Sequence, residues 1–149
     1  MKKIFQINDL NTMEVFAASI AEHVFPGFVI GLEGDLGAGK TTFTQFFGKA
    51  LGVEDSINSP TFTIMKHYDG RLFLTHIDAY RLEGALSDES LEEYIFGSGV
   101  SVVEWWPYIK NSMPECFLGI KIIFIEGTKR RIEIEGSGKY ENVIRALSY

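Results

Sequence analysis

The sequence predicts an α/β protein with a mostly parallel central sheet flanked by helices and extended by antiparallel hairpins. Three observations carry that prediction. Residues 28–32 form an almost unbroken apolar run, the mark of a strand covered on both faces. A glycine-rich turn follows at once and opens an amphipathic helix. Strand and helix patterns alternate in the first half of the chain, whereas hairpin patterns dominate the second.

The elements follow in order. Residues 4–7 alternate as a short strand, and Asn11 with Glu14 three residues on has the form of a capping box, so a helix is expected next. Met13, Phe16, Ala17, Ile20 and Val24 recur at helical spacing until Pro26-Gly27 stops the pattern. After the glycine turn, Phe43, Phe46, Phe47, Ala50 and Leu51 share one helix face, and Gly52 is placed to end it. Residues 61–68 and 71–77 read as strands joined by Asp69-Gly70, a two-residue hairpin link.

Ser87 is a candidate cap for a short helix, with Leu86 and Leu91 at hydrophobic-staple spacing. Residues 100–103 form a compact strand that ends in Glu104 and runs into Trp105-Trp106-Pro107. Residues 117–125 and 130–135 alternate around a turn, and Tyr140, Val143, Ile144 and Leu147 make a closing helix. No repeat, low-complexity tract or linker divides residues 1–149, so one domain is expected.

Composition narrows the class. Apolar residues make up 46% and charged residues 23% of the 149, as in folded globular proteins. No apolar run approaches the roughly 20 residues that cross a bilayer, and Met1-Lys2-Lys3 does not lead into a signal-peptide core. The single cysteine, Cys116, can build neither an internal disulfide nor a thiolate zinc cluster. A soluble, unprocessed cytoplasmic protein is therefore expected. The net charge of −6 argues against broad capture of nucleic-acid phosphates, so any RNA involved is expected to be held by another subunit.

The chemistry concentrates in Gly34-Asp35-Leu36-Gly37-Ala38-Gly39-Lys40-Thr41, which has the spacing of a phosphate-binding loop. Glycines let backbone amides approach phosphate oxygens with no side chain in the way. Lys40 has the reach to place its ammonium between β- and γ-phosphates, and Thr41 offers a hydroxyl to Mg²⁺, while the helix dipole favours the anion. A buried strand before the loop and an amphipathic helix after it supply the confirming context. A P-loop NTPase fold is thus expected, with Leu36, Gly37, Ala38, Gly39, Lys40, Thr41 and Thr42 as the nucleotide-binding set.

A magnesium site beside such a loop needs a carboxylate at or near a strand end, and Asp78 and Glu104 both qualify. One would hold the metal and the other would orient or deprotonate the attacking water. The residues alone do not rank them. Ser59-Pro60-Thr61 has two readings, a γ-phosphate sensor or a proline turn that starts a strand. Trp105 and Trp106 read as packing or as contacts to a nucleotide or partner, and His76 reads as packing within its strand. Arg81 reads as a phosphate-charge neutraliser or as one half of a salt bridge.

Four motifs in order, Gly34 to Thr42, Ser59-Pro60-Thr61-Phe62, His76-Ile77-Asp78-Ala79-Tyr80-Arg81-Leu82 and Val103-Glu104-Trp105, resemble the TsaE family, formerly called YjeE. The resemblance covers nearly the whole chain and loosens beyond Pro107. It implies an ATPase subunit of the bacterial machinery that makes N6-threonylcarbamoyladenosine in tRNAs reading codons that begin with A. Such a subunit works with the TsaD–TsaB pair and hydrolyses ATP appreciably only in their company. It further implies Thr41 and Glu104 as Mg²⁺ ligands, Asp78, Glu104 and Lys40 as the catalytic group, and Thr12 at the base side of the nucleotide.

Two other readings compete. A small-molecule kinase would need a lid that brings arginines onto the phosphates, and no arginine lies in a long insertion. A nucleotide-gated adaptor would use ATP to order a docking surface, with hydrolysis incidental. The guanine-reading Asn-Lys-x-Asp element does not occur, which favours adenine.

Overall fold

The structure is a computed structural model and describes residues 1–60, 63–83 and 89–147. Among these, seven strands form one sheet: β1 (Lys2–Ile7), β2 (Val29–Glu33), β3 (Met65–Tyr68), β4 (Leu74–Asp78), β5 (Val100–Glu104), β6 (Leu118–Glu126) and β7 (Lys129–Glu135). Their order is β1-β7-β6-β2-β5-β4-β3. The central four, β6, β2, β5 and β4, are parallel. Antiparallel β3 extends one side, and β7 with β1 the other.

Four α-helices accompany the sheet: α1 (Leu10–Ala21), α2 (Lys40–Ala50), α3 (Glu89–Ile95) and α4 (Tyr140–Ala146). Short 3₁₀ segments cover Tyr80–Leu82 and Trp106–Ser112. The fold is α/β, a mixed sheet flanked by helices, with the hairpin additions that the sequence led us to expect.

Both faces of the parallel strands are buried, which is why β2 and β5 read as continuous apolar runs. On one face, Ile30, Leu32, Leu74, Val100 and Val102 pack under Phe16 and Ile20 of α1 and Phe43 and Phe47 of α2. Phe16 and Phe43 lie 6.1 Å apart, and Phe43 stacks on Phe47 at 5.9 Å. On the other face, Val29, Ile77 and Val103 meet Leu91 and Ile95 of α3 and Ile109 of the second 3₁₀ segment. Burying one such side chain contributes about 1.5–3 kcal/mol, so these two layers anchor the strand ends that carry the site.

Three local expectations are corrected. The α1 cap is Asp9, in an extended conformation (φ −154°), and not Asn11 with Glu14. Its Oδ1 accepts from the Thr12 amide at 2.8 Å and from the Thr12 hydroxyl at 2.7 Å. The Thr12 amide bond, seconded by the hydroxyl, holds the Asp9 carboxyl below its ordinary range. Helix formation therefore starts at Leu10, one turn's fraction earlier than the apolar pattern indicates.

Asp69-Gly70 is not a two-residue hairpin link. Tyr68 pairs with Leu74, so the connection spans residues 69–73. The reason lies in α2: the Arg71 amide donates to the Leu51 carbonyl at 2.6 Å, and the Arg71 guanidinium donates to the Ala21 carbonyl at 2.8 Å. The loop ties off two helix ends, and Gly70 permits it because a Cβ there would lie 2.7 Å from the Leu51 oxygen.

The strand expected over 61–68 is confined to Met65–Tyr68. Ile64 adopts φ +65°, which no strand tolerates, while Thr61, Phe62, Leu86 and Ser87 lie outside the described residues. The hairpin at Gly127-Thr128 forms as expected, with Glu126 paired to Lys129.

Gly70→Ala should lower stability by about 1–3 kcal/mol, because the atom it meets is backbone and cannot rotate away. Urea unfolding measures this, with exposed Asp69→Ala as the neutral control. A loss below about 0.5 kcal/mol would mean that the Leu51 contact is not what requires glycine.

Candidate functional site

The glycine loop leaves β2 after Glu33 and turns into α2. Gly37 and Gly39 have φ of +80° and +116°, conformations that side chains rarely adopt. At Gly34 the constraint is closeness, since a Cβ would come within 2.8 Å of the Ile122 carbonyl. Gly39 is the N-cap residue of α2 and no side chain caps that end. The first amides of the helix are therefore open to an anion, which the positive end of the dipole also favours.

Lys40 is 8% exposed. Its ammonium donates to the Gly34 and Asp35 carbonyls, the latter at 3.2 Å, and lies 5.2 Å from the centre of the Trp105 ring. A buried cation held by neutral carbonyls is poised for stronger, charge-assisted partners. Arg130 of β7 braces the loop from outside: Nε donates to the Ala38 carbonyl at 2.7 Å and Nη1 to the Gly127 carbonyl at 2.8 Å. The bond fixes the peptide between Ala38 and Gly39 at the start of α2.

The carboxylates arrive by strand register. Glu104 is paired with Leu32 of β2 on one side and with Asp78 of β4 on the other, so both acids stand at adjacent strand ends on the α2 side. A cavity of about 250 Å³ opens there, bordered by Leu36, Gly37, Gly39, Lys40, Thr41, Thr42, Ser59, Asp78, Glu104 and Trp105. The structure thus brings nearly all the sequence-derived candidates together. Ala38 is buried behind the loop, and Thr12 sits at the start of α1 with its hydroxyl engaged by Asp9. Neither borders the cavity.

Three features were missed in the sequence. Buried His76 places Nε2 2.5 Å from Glu104 Oε2; the available signal was its position two residues before Asp78, on the same side of β4. Arg130 reaches the loop from a distant hairpin, and nothing local announces that. Trp105 and Ile64 hold positive φ of 58° and 65°. Trp105 packs against Tyr80 and Tyr108, and the Ile64 carbonyl accepts from the Asp78 amide at 2.7 Å. Strained residues on both flanks of the acids fit a site whose shape is set by its surroundings.

The side chains bordering the cavity that could ligate a cation offer oxygens: the Thr41, Thr42 and Ser59 hydroxyls and the Asp78 and Glu104 carboxylates. Among the described residues no cluster of three His, Cys, Asp or Glu forms a cage for a metal. One or two carboxylates with a hydroxyl suit Mg²⁺, which keeps waters and takes further oxygens from phosphates, better than they suit a cation bound by protein alone. A larger hollow of about 410 Å³ lies across β1, β7 and β6, where Lys2, Lys121, Glu133 and Glu135 make an ordinary solvated face.

Residues 7–132 match the family described as "Threonylcarbamoyl adenosine biosynthesis protein TsaE". The chain is 47% identical over 125 residues to the tRNA threonylcarbamoyladenosine biosynthesis protein TsaE of Bacillus subtilis, covering 83% of this chain and 79% of that one. It is 37% identical to the Nostoc protein of the same name over 143 residues, covering 90% and 85%. A crystal structure of Bacillus subtilis YdiB superposes with a TM-score of 0.84 at 37% identity, over 97% of this chain and 93% of the other. Fold, motif order and sequence likeness agree, and the chain belongs to the TsaE family.

Proposed function

We propose that the protein binds ATP with Mg²⁺ and hydrolyses it as a subunit of the machinery that installs threonylcarbamoyladenosine in tRNA, together with TsaD–TsaB. The observation that carries this reading is the meeting of the glycine loop, the open start of α2, Thr41 and two strand-end carboxylates around one cavity. The family membership and the relatives' names support the pathway.

In this reading the amides of the loop donate to the phosphate oxygens, and Lys40 exchanges its bonds to the Gly34 and Asp35 carbonyls for the β- and γ-phosphates. The Thr41 hydroxyl and Glu104 would hold the magnesium, which would supply positive charge against the charge that builds on the phosphoryl oxygens. Asp78 orients the attacking water and accepts its proton. Thr12 lies on the base side, and Ser59 borders the terminal phosphate.

No excess of Lys or Arg is available to grip RNA, since the net charge is −6. The tRNA is therefore held by the partners. A nucleotide-gated adaptor remains the second reading, favoured by the aromatic group of Tyr80, Trp105 and Tyr108 beside the cavity, with Tyr80 more than half exposed. Such a surface suits a partner that senses the occupied site.

Three outcomes test the proposal. Lys40→Ala should weaken binding of a non-hydrolysable ATP analogue by about tenfold or more, whereas Asp78→Asn should slow hydrolysis by about 10²–10⁴-fold with little change in analogue affinity. Calorimetry and phosphate release separate the two, and an Asp78→Asn protein of full activity refutes the assignment. Phosphate release by the isolated protein should be slow and rise by about tenfold or more on adding TsaD–TsaB. Equal rates with and without those partners would remove the case for a partner-driven ATPase.

A further inference from the structure

His76 is wholly buried on β4 between Leu74 and the paired Val102. Its Nε2 stands 2.5 Å from Glu104 Oε2, and its Nδ1 has no hydrogen-bond partner. A carboxylate oxygen accepts, so Nε2 carries the hydrogen and donates it. In an apolar row, the ring leaves one nitrogen unpaired where an aliphatic side chain would leave none. What the imidazole supplies at this place is one bond, and its recipient is Glu104.

Glu104 is itself 4% exposed and borders the cavity. Its side chain takes no other hydrogen bond from the described residues. With Oε2 drawn back along β4 by His76, Oε1 is the oxygen left for the cavity. The histidine reaches Glu104 diagonally across the strands, because Val102 is its own register partner and Asp78 is that of Glu104. The bond thus fixes the carboxylate's rotamer and its choice of oxygen together.

We infer that His76 is a positioning residue that aims Glu104 Oε1 at the divalent cation. The inference rests on the nucleotide and magnesium reading above. Its physical basis is preorganisation: a ligand oxygen already held in place loses no rotamer freedom when the cation arrives, and outer partners of this kind govern metal affinity. A purely structural histidine would instead support the sheet and leave cation affinity untouched.

The two amide variants separate these roles, because a glutamine nitrogen stands near the place of Nε2 and an asparagine nitrogen near that of Nδ1. Mn²⁺ binding to the complex of protein and non-hydrolysable ATP analogue is measured by electron paramagnetic resonance, with analogue affinity in EDTA measured alongside. His76→Asn should weaken Mn²⁺ binding by about 10–100-fold, with analogue affinity in EDTA changed by less than about threefold, and His76→Gln should recover most of the loss. His76→Leu, where it folds, should behave as Asn does.

Mn²⁺ binding by His76→Asn as tight as in the parent overturns the inference. So does a parallel loss of analogue affinity in EDTA, which marks general damage to the site. Absence of Mn²⁺ binding in the parent complex would instead refute the proposed magnesium site itself.

Discussion

The parallel pairing of β5 with β2 on one side and β4 on the other is the constraint on which the site depends. It sets Leu32, Glu104 and Asp78 in one row at the carboxyl ends of three strands. Both faces of these strands are buried, so a slip of one residue would drive Glu104 and Asp78 into the layer of Val29, Ile77 and Val103. Uncompensated carboxylates in that layer cost far more than any gain from repacking. The apolar side chains therefore do more than fill the interior: they hold the spacing of the acids.

Against that firm sheet, the irregular features collect in one place. Lys40, His76 and Glu104 are buried polar groups, and Trp105 and Ile64 are the two non-glycine residues of positive φ among those described. Conformations of that kind cost about 1–3 kcal/mol each and persist only where neighbours over-determine them. Here the neighbours are the strand ends themselves: the Trp105 amide donates to the Leu32 carbonyl, and the Ile64 carbonyl accepts from the Asp78 amide. Rigidity in the layers below supports strain at the rim.

The glycine loop and both strand-end acids were legible because their signals are local: three glycines at set offsets, a lysine, a threonine, and acids that close apolar runs. The sheet's parallel core was legible for the same reason. Gly70 misled because glycine serves a tight turn and a close backbone approach equally well, and only the position of Leu51 distinguishes them. His76 looked like packing because a histidine among aliphatic residues shows no partner until β5 lies beside β4. Asp9 was passed over for Asn11 because both types cap helices, and the exposed Leu10 gave no apolar phase to choose between them.

Arg130 joins the glycine loop to β7, and β7 is also the strand on which β1 pairs. A chain emerging from the ribosome must therefore release some ninety residues after Ala38 before the brace on its carbonyl can form. Until then β1 has no strand to join, and the loop has no support on its outer side. The outer support of the glycine loop is thus completed late in synthesis, when the last strand of the sheet arrives.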